Sequence, residues 1–487
     1  MSSRLEPFKP LPAEAAPAAR RKTIWMYAAG PKIQPKTVKG WFNHWRWVMV
    51  WFTQLLFYGL PWLPWNGRPA LLFDLEARRF YIFDLLLYPQ DFIYLTGLLI
   101  LCAYGLFLFT AVAGRQWCGY TCPQTVYTEI FLWVEHRIEG DRSARLRLDA
   151  GGMTAEKLLR RGGKHLVWLA IGLWTGFSFV GYFTPIRELG QGVLHLQLGS
   201  WENFWVLFYG FSTYGNAGFM REQVCKYMCP YARFQSAMFD KDTLIVGYDA
   251  RRGEPRTLGV KGPALDGSAS KGACIDCGLC VQVCPTGIDI RQGLQYECIS
   301  CAACIDACDG VMDKLGRPKG LIRYATQRGL EAGERAALTL KSIFRPRVLV
   351  YSLVMVLISA AFVGSLALRP PVRMDVVRDR GVMAREVEDG IVENVYRLQL
   401  MNLTEQPQRL RIEVQGLPGL QAELRGSAEL GPAETHLVPL ALRLAPEAAA
   451  GLERGATLPV TLTLVREAGP SGPEHRLDEA TTFYLPR

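Results

Sequence analysis

The chain has 487 residues, of which 49% are hydrophobic and 21% charged, with a net charge of +10. That length calls for more than one domain. From Pro370 onward there are 13 Arg, no Lys and 17 acidic residues, so the tail carries about −4 and the rest about +14. The basic excess borders apolar segments, which marks it as a membrane-topology signal and excludes nucleic acid as the partner.

In chain order, residues 1–43 read as a basic cytoplasmic tail. Eight Arg and Lys lie between Met1 and Lys39, with no apolar core or cleavage site of a signal peptide. Residues 44–246 read as a membrane region of four α-helical spans, near Trp45–Leu63, Phe92–Ala113, Leu166–Pro185 and Phe204–Met220. A fifth span is expected at Val348–Leu368, within residues 346–369. The Pro61–Asp91 loop has three Arg and Lys, the Gly114–Lys164 loop nine, and the Arg187–Glu202 loop one. The positive-inside rule then puts the N-terminus and the Gly114–Lys164 loop in the cytoplasm. Within that loop Glu135, His136, Arg137, Glu139, Asp141 and Arg142 suggest a charged helix lying at the inner surface. Residues 247–345 hold a Gly/Pro/Arg-rich linker over 247–272 and then a dense cysteine region. Residues 370–487 show short alternating runs, Val395–Leu400, Arg409–Val414, His436–Leu444, Val460–Val465 and Thr481–Leu485, separated by turns. That is the pattern of an immunoglobulin-like β-sandwich, here on the periplasmic side.

All 13 cysteines lie between Cys102 and Cys308, and nothing suggests a disulfide scaffold. Cys274, Cys277, Cys280 and Cys284 form one C-x-x-C-x-x-C-x-x-x-C run; Cys298, Cys301, Cys304 and Cys308 form a second. This is the spacing of bacterial ferredoxins with two 4Fe–4S clusters, in which the fourth cysteine of each run ligates the other cube. The expected sets are Cys274, Cys277, Cys280 and Cys308, and Cys298, Cys301, Cys304 and Cys284. C-x-x-C pairs also build zinc ribbons, but two identical four-member runs favour iron and sulfur.

A shorter repeat reads Q-x-C-x-Y-x-C-P: Gln116 to Pro123 with Cys118 and Cys122, and Gln223 to Pro230 with Cys225 and Cys229. Residues four apart share a helix face, so each copy would present two sulfurs, and the two copies could gather four beside the membrane. Soft thiolates select Cu(I), zinc or an iron–sulfur cluster, so a copper site and a third cluster both stand open. The bland alternative is small residues packing helix ends. Cys102, alone in the second span, reads as core. His44 and His165 at span ends read as polar anchors before ligands, and Met374, Met383 and Met401 show no clustering that supports copper. There is no C-x-x-C-H for covalent haem and no Gly-rich nucleotide fingerprint.

Together these motifs resemble the CcoG family of cytochrome oxidase accessory proteins, also called FixG or RdxA. The resemblance includes Trp117–Val126, Ile138–Arg142, Arg221–Asp240, Val311–Pro318 and the sandwich tail. It implies an inner-membrane protein that helps mature the cbb-type haem–copper oxidase by reducing Cu(II) to Cu(I). Cys118, Cys122, Cys225 and Cys229 would then meet the copper, and the ferredoxin clusters would supply electrons. Oxidase subunits and copper-transport proteins are the implied partners; the electron donor and self-association of copies are left open. A subunit linking quinol to an external reductase and a non-enzymatic assembly scaffold are the alternative readings.

Overall fold

The computed structural model describes residues 32–256, 272–333, 340–378, 384–387, 390–426, 428–468 and 472–486. Most of the basic tail, most of the expected linker and Met383 lie outside the described residues.

Nine helices carry the first half: α1 Trp41–Gly59, α2 Phe92–Ala113, α3 Gln116–Tyr120, α4 Pro123–Glu139, α5 Arg142–Ala150, α6 Ala155–Val180, α7 Ile186–Leu194, α8 Ser200–Gly215 and α9 Pro230–Met238. Every stretch expected to span a membrane is helical over most of its length. Among the described residues two helices are long and apolar enough to cross one: α2 with the turn before it, Pro89–Ala113, and the helix Pro346–Ala367. Arg46 is buried in α1, Lys157 and Lys164 in the first part of α6, and α8 has 16 residues before it gives way to π-helical turns at Asn216–Met220 and Val224–Met228.

α2 and Pro346–Ala367 run antiparallel, with Tyr104 against Tyr351 and Tyr94 against Phe362. Arg369 pairs with Asp91 at one end of this pair, and Arg345 with Asp240 and the Ala111 carbonyl at the other. Cys102 corrects the expectation of a core residue: it lies on the exposed side of α2. α6 and α8 approach closely because both present glycines. A Cβ at Gly176 would stand 2.2 Å from the Val206 carbonyl oxygen, and one at Gly172 2.7 Å from that of Gly210.

At the Asp91 end, residues 64–88, expected as a loop, form short strands, among them Leu71–Asp74, Arg79–Ile82 and Leu85–Leu87 in one antiparallel sheet. Leu86 and Tyr88 pack on Met401, Leu403 and Ala433 of the C-terminal domain. That domain is a sandwich of two antiparallel sheets. One has the order Leu420–Leu424, Thr435–Leu444, Val392–Asn402, Val372–Arg378; the other Glu429–Leu430, Gln408–Gln415, Thr457–Arg466, His475–Tyr484. Alternate residues such as Leu398, Leu400, Leu440, Leu442, Leu462 and Leu464 point into one shared core. Met374 and Met401 are buried in two different apolar clusters.

At the opposite end of α2 lies the cysteine region. The strand Leu244–Tyr248 crosses the position where the linker was expected to begin and pairs antiparallel with Ile322–Thr326. This two-stranded clasp closes the region between them. The helix Ala303–Lys314 supplies Asp306, whose carboxylate accepts from the Phe42 and Asn43 backbone N–H groups at 3.2 and 2.7 Å. A carboxylate on the first turn satisfies orphan donors and the helix dipole, so the second cysteine run is docked on the start of α1.

Candidate metal centres at two cysteine sites

Cys274, Cys277, Cys280 and Cys308 line one small cavity of ≈ 20 Å³, beside Tyr248, Leu279 and Met312. Cys284, Cys298, Cys301 and Cys304 line a second of ≈ 20 Å³, with Cys280 also at its wall. Tight turns shape both. Asp276, Gly278, Ser300 and Ala302 adopt positive φ between the cysteines, which turns successive sulfurs toward one point. The fourth cysteine of each run thus lines the cavity of the other run. Burial pushes the Cys280 thiol up to about 11 and those of Cys298 and Cys308 up to about 12, with Cys304 raised as well. Thiols so buried are neutral by themselves. A metal that binds them as thiolates must displace their protons.

The shorter motifs hold their sulfurs differently from the expectation of one continuous helix. Cys118 lies in α3, but Cys122 is the N-cap of α4 with Pro123 at its first position. Cys225 lies in the π-helical turn Val224–Met228, and Cys229 is the N-cap of α9 before Pro230. The proline explains the break: it forces the residue before it out of the helical region, so each Cys-Pro ends one helix and starts the next. The sulfurs still gather. Cys118 registers the charges of Cys122 and Cys229, Cys122 that of Cys229, and Cys225 those of all three others. Burial pushes Cys118 up to about 11 and Cys225 up to about 12, and raises Cys122.

Among the described residues no three His, Cys, Asp or Glu side chains stand close enough to hold a metal ion. Four thiolates around one zinc lie about 2.3 Å from the metal. Each ferredoxin-type run with the last cysteine of the other brings four cysteines around one cavity, and four cysteines are the ligand set of a 4Fe–4S cube, so the residues present fit that group.

The two kinds of site touch. Gly119, next to Cys118, packs on the second run so closely that a Cβ would lie 2.7 Å from the Ile299 carbonyl oxygen and 2.8 Å from Cys301 Cα. Cys118 joins Ile299, Cys301 and Cys304 in one apolar cluster. The Tyr120 and Tyr324 hydroxyls stand 3.2 Å apart, and Tyr324 donates to the Ser300 carbonyl at 2.6 Å. Gln235, fully buried on α9, directs its amide Nε2 at Cys118 Sγ, 3.4 Å away. Sequence reasoning missed Gly119 and Gln235 because neither carries a spacing signal.

The charged stretch of α4 is also corrected. Glu135 and Glu139 are buried, not laid on a surface. Glu135 accepts from Arg145 at 2.7 Å and Arg221 at 3.1 Å, with Lys164 at 3.5 Å and Lys32 at 3.8 Å. Lys164 also pairs with Glu139 at 2.7 Å. Burial works to raise the Glu135 carboxyl, but Arg221, Arg145, Lys164 and Lys32 outweigh it and hold it below the usual carboxylate range. The reason for burial lies in the turn at Arg221, which carries φ 36° and brings the second motif against α4. Gln124 spans the same joint, donating to the carbonyls of Asn216 and Arg221 at 3.0 and 3.2 Å. His165 lies in an aromatic box, stacked on Phe219 and hydrogen-bonded to the Tyr214 hydroxyl at 3.0 Å. His44 is exposed on α1. Neither histidine joins a cysteine site.

Comparison with known proteins bears on both sites. A family profile described as a 4Fe–4S dicluster domain matches residues 220–327, and one described as a 4Fe–4S binding domain matches 95–140. The profile of the IG-like fold at the C-terminal of FixG matches 362–486. Nitrogen fixation protein FixG of Rhizobium meliloti (strain 1021) is 40% identical over 449 residues, 86% of this chain and 85% of that protein. The chain belongs to the FixG/RdxA family. Protein RdxA of Cereibacter sphaeroides is 40% identical over 415 residues, 83% of this chain and 87% of its own. A crystal structure of a FixG-related protein from Vibrio parahaemolyticus matches 24% of this chain and 98% of that one, with 25% identity and a TM-score of 0.20. This FixG-family chain is an iron–sulfur protein with 4Fe–4S binding domains and a C-terminal Ig-like domain. The 95–140 match contains Cys118 and Cys122, and the 220–327 match contains Cys225, Cys229 and all eight ferredoxin-type cysteines.

Proposed function

We propose that this protein is a membrane-bound electron carrier that reduces Cu(II) to Cu(I) during assembly of a cbb-type cytochrome c oxidase. Cys274, Cys277, Cys280 and Cys308 would hold one 4Fe–4S cluster, and Cys284, Cys298, Cys301 and Cys304 the other. When bound, such clusters supply one-electron transfer at low potential. Cys118, Cys122, Cys225 and Cys229 meet the cupric substrate, which takes up one electron and leaves as the cuprous ion that thiolates prefer. The observation that carries this reading is the packing of Gly119 on the backbone of Cys301, which sets Cys118 in one apolar cluster with Ile299, Cys301 and Cys304 of the second run.

The membrane arrangement is N-terminus and cysteine sites inside, five spans, sandwich in the periplasm. The proposed domain limits are 1–43, 44–246, 247–345, 346–369 and 370–487, with the strand Leu244–Tyr248 running across the second of them. α2 has 22 residues, about 33 Å at 1.5 Å per residue, against about 30 Å of hydrocarbon. The glycine contacts of α6 and α8 suit helices packing in lipid. The sandwich rests on residues 64–88, the segment poor in Arg and Lys, and the cysteine sites lie at the basic end of α2. Oxidase subunits and copper carriers are the partners this role requires.

A second reading is favoured by the 4Fe–4S match over residues 95–140. In it the four C-x-x-x-C-P cysteines hold a third cluster, and the copper is met elsewhere. One experiment separates the two. In the full-length protein, C122S together with C229S should abolish cupric reduction and leave the spectra of both ferredoxin clusters unchanged. An unchanged rate would remove this site as the place of chemistry. Loss of about four iron per chain would assign it to a third cube.

A further inference from the structure

Arg115 sits at the junction of α2 and α3 and is 4% exposed. Among the described residues it has no carboxylate partner, unlike the buried Arg145 and Arg221 and the part-buried Arg345 and Arg369, each of which pairs with an Asp or Glu. Its guanidinium donates only to backbone carbonyls. Nη1 reaches those of Tyr296 and Cys298, the latter at 3.4 Å, and Nη2 reaches that of Ala232 on α9. Guanidinium is charged at any ordinary pH, and a buried charge without a counter-charge is costly. Something negative must face it.

What lies around it is sulfur from two different sites. Its Nη1 donates to the carbonyl of Cys298 in the second run at 3.4 Å, and its own carbonyl accepts from the N–H of Gly119, the neighbour of Cys118 in the four-cysteine site, at 3.2 Å. Four thiolates around one 4Fe–4S core leave a net negative charge, and each electron added makes it more negative. A fixed cation beside such a site stabilises the reduced state, most of all where water is excluded. The same fork also ties three pieces of chain together: the α2–α3 junction, residues 296–298 and α9.

We propose that Arg115 is a positioning residue that supplies the shared counter-charge of the second-run site and the four-cysteine site, and so holds the reduction potential of both up. The site lined by Cys274, Cys277, Cys280 and Cys308 has a different cation, Arg291, and does not depend on Arg115. This inference rests on the cysteine sites being redox centres, but not on copper being the substrate.

The test is a spectroscopically monitored potentiometric titration of full-length, cluster-loaded protein, with iron content measured alongside. In R115Q the electron affinity of the second-run site should fall about tenfold, which is about 59 mV for one electron. The Cys274-run site should move far less. If the four-cysteine site holds a cluster its potential should fall in step; if it holds none, the second-run signal decides alone. R115K keeps the charge and loses the fork, so its potentials should remain near wild type. Unshifted potentials in loaded R115Q, or an equal shift at every site, would overturn the proposal. Should R115Q fail to take up iron, R115K decides: wild-type potentials support the counter-charge, and a tenfold fall there refutes it. Copper reduction is not read in this experiment, so its failure and the failure of the copper reading remain distinct.

Discussion

Gly119→Ala is the sharpest perturbation of the joint between the two cysteine sites. The added Cβ would meet the Ile299 carbonyl oxygen at 2.7 Å, Cys301 Cα at 2.8 Å and Cys301 N at 2.9 Å. All three are backbone atoms, so no side chain can rotate away. Ordinary contact begins at 3.4 Å, so α3 must retreat from the second run by roughly 1 Å or the core must absorb the overlap. Overpacking of this kind costs about 1–3 kcal/mol. A displacement of that size lengthens the electron-transfer path between the two sites and should slow the step by a few-fold. The assay is a rapid-mixing experiment in which protein with pre-reduced ferredoxin-type clusters is mixed with Cu(II) and oxidation of the clusters is followed optically, with denaturant stability measured in parallel. Gly310→Ala is the control. It lies in the helix Ala303–Lys314 with nothing within 4 Å of its Cβ, so alanine there should stabilise by about 0.5–1 kcal/mol. A G119A protein with wild-type rate and wild-type stability would refute the close-packed route.

Three further outcomes are expected. Glu135→Gln should destabilise by about 3–5 kcal/mol, because Arg145, Arg221 and Lys164 lose their buried partner; denaturant unfolding would expose a smaller effect. The wild-type carboxyl is held below its unfolded value of about 4.3, so its contribution is complete above that pH and is lost as pH falls through the lower folded value; E135Q should lack this acid-dependent part. C284S should remove the cluster of the second run and C308S that of the first, because each lines the opposite cavity; loss of the cluster of its own run would refute crossed ligation, as read by iron content and spectra. Reporter fusions after Asp149 should read cytoplasmic and those after Pro370 periplasmic, and a cytoplasmic tail would mean that α8 does not cross.

The sequence by itself determined the chemistry that depends on local spacing. Two C-x-x-C-x-x-C-x-x-x-C runs can make only tight cysteine turns, so the sulfur sets were legible without coordinates. The same holds for the helices of α2 and Pro346–Ala367, whose apolar runs are long, and for the sandwich strands, whose alternation has one period. The duplicated C-x-x-x-C-P motif was legible too, but its geometry was misjudged. A period of four suggests one helix, and the proline at each copy instead makes the second cysteine a helix cap. What only the tertiary structure decided was everything set by partners far along the chain. Glu135 is buried because Arg145, Arg221 and Lys164 arrive from three other segments; by its own neighbours it looks like a solvated face. Gly119 packs against Cys301, and Arg115 meets backbone carbonyls with no carboxylate partner among the described residues. Such roles carry no period and no motif, since they follow from which distant atoms fill, or fail to fill, the space around one residue.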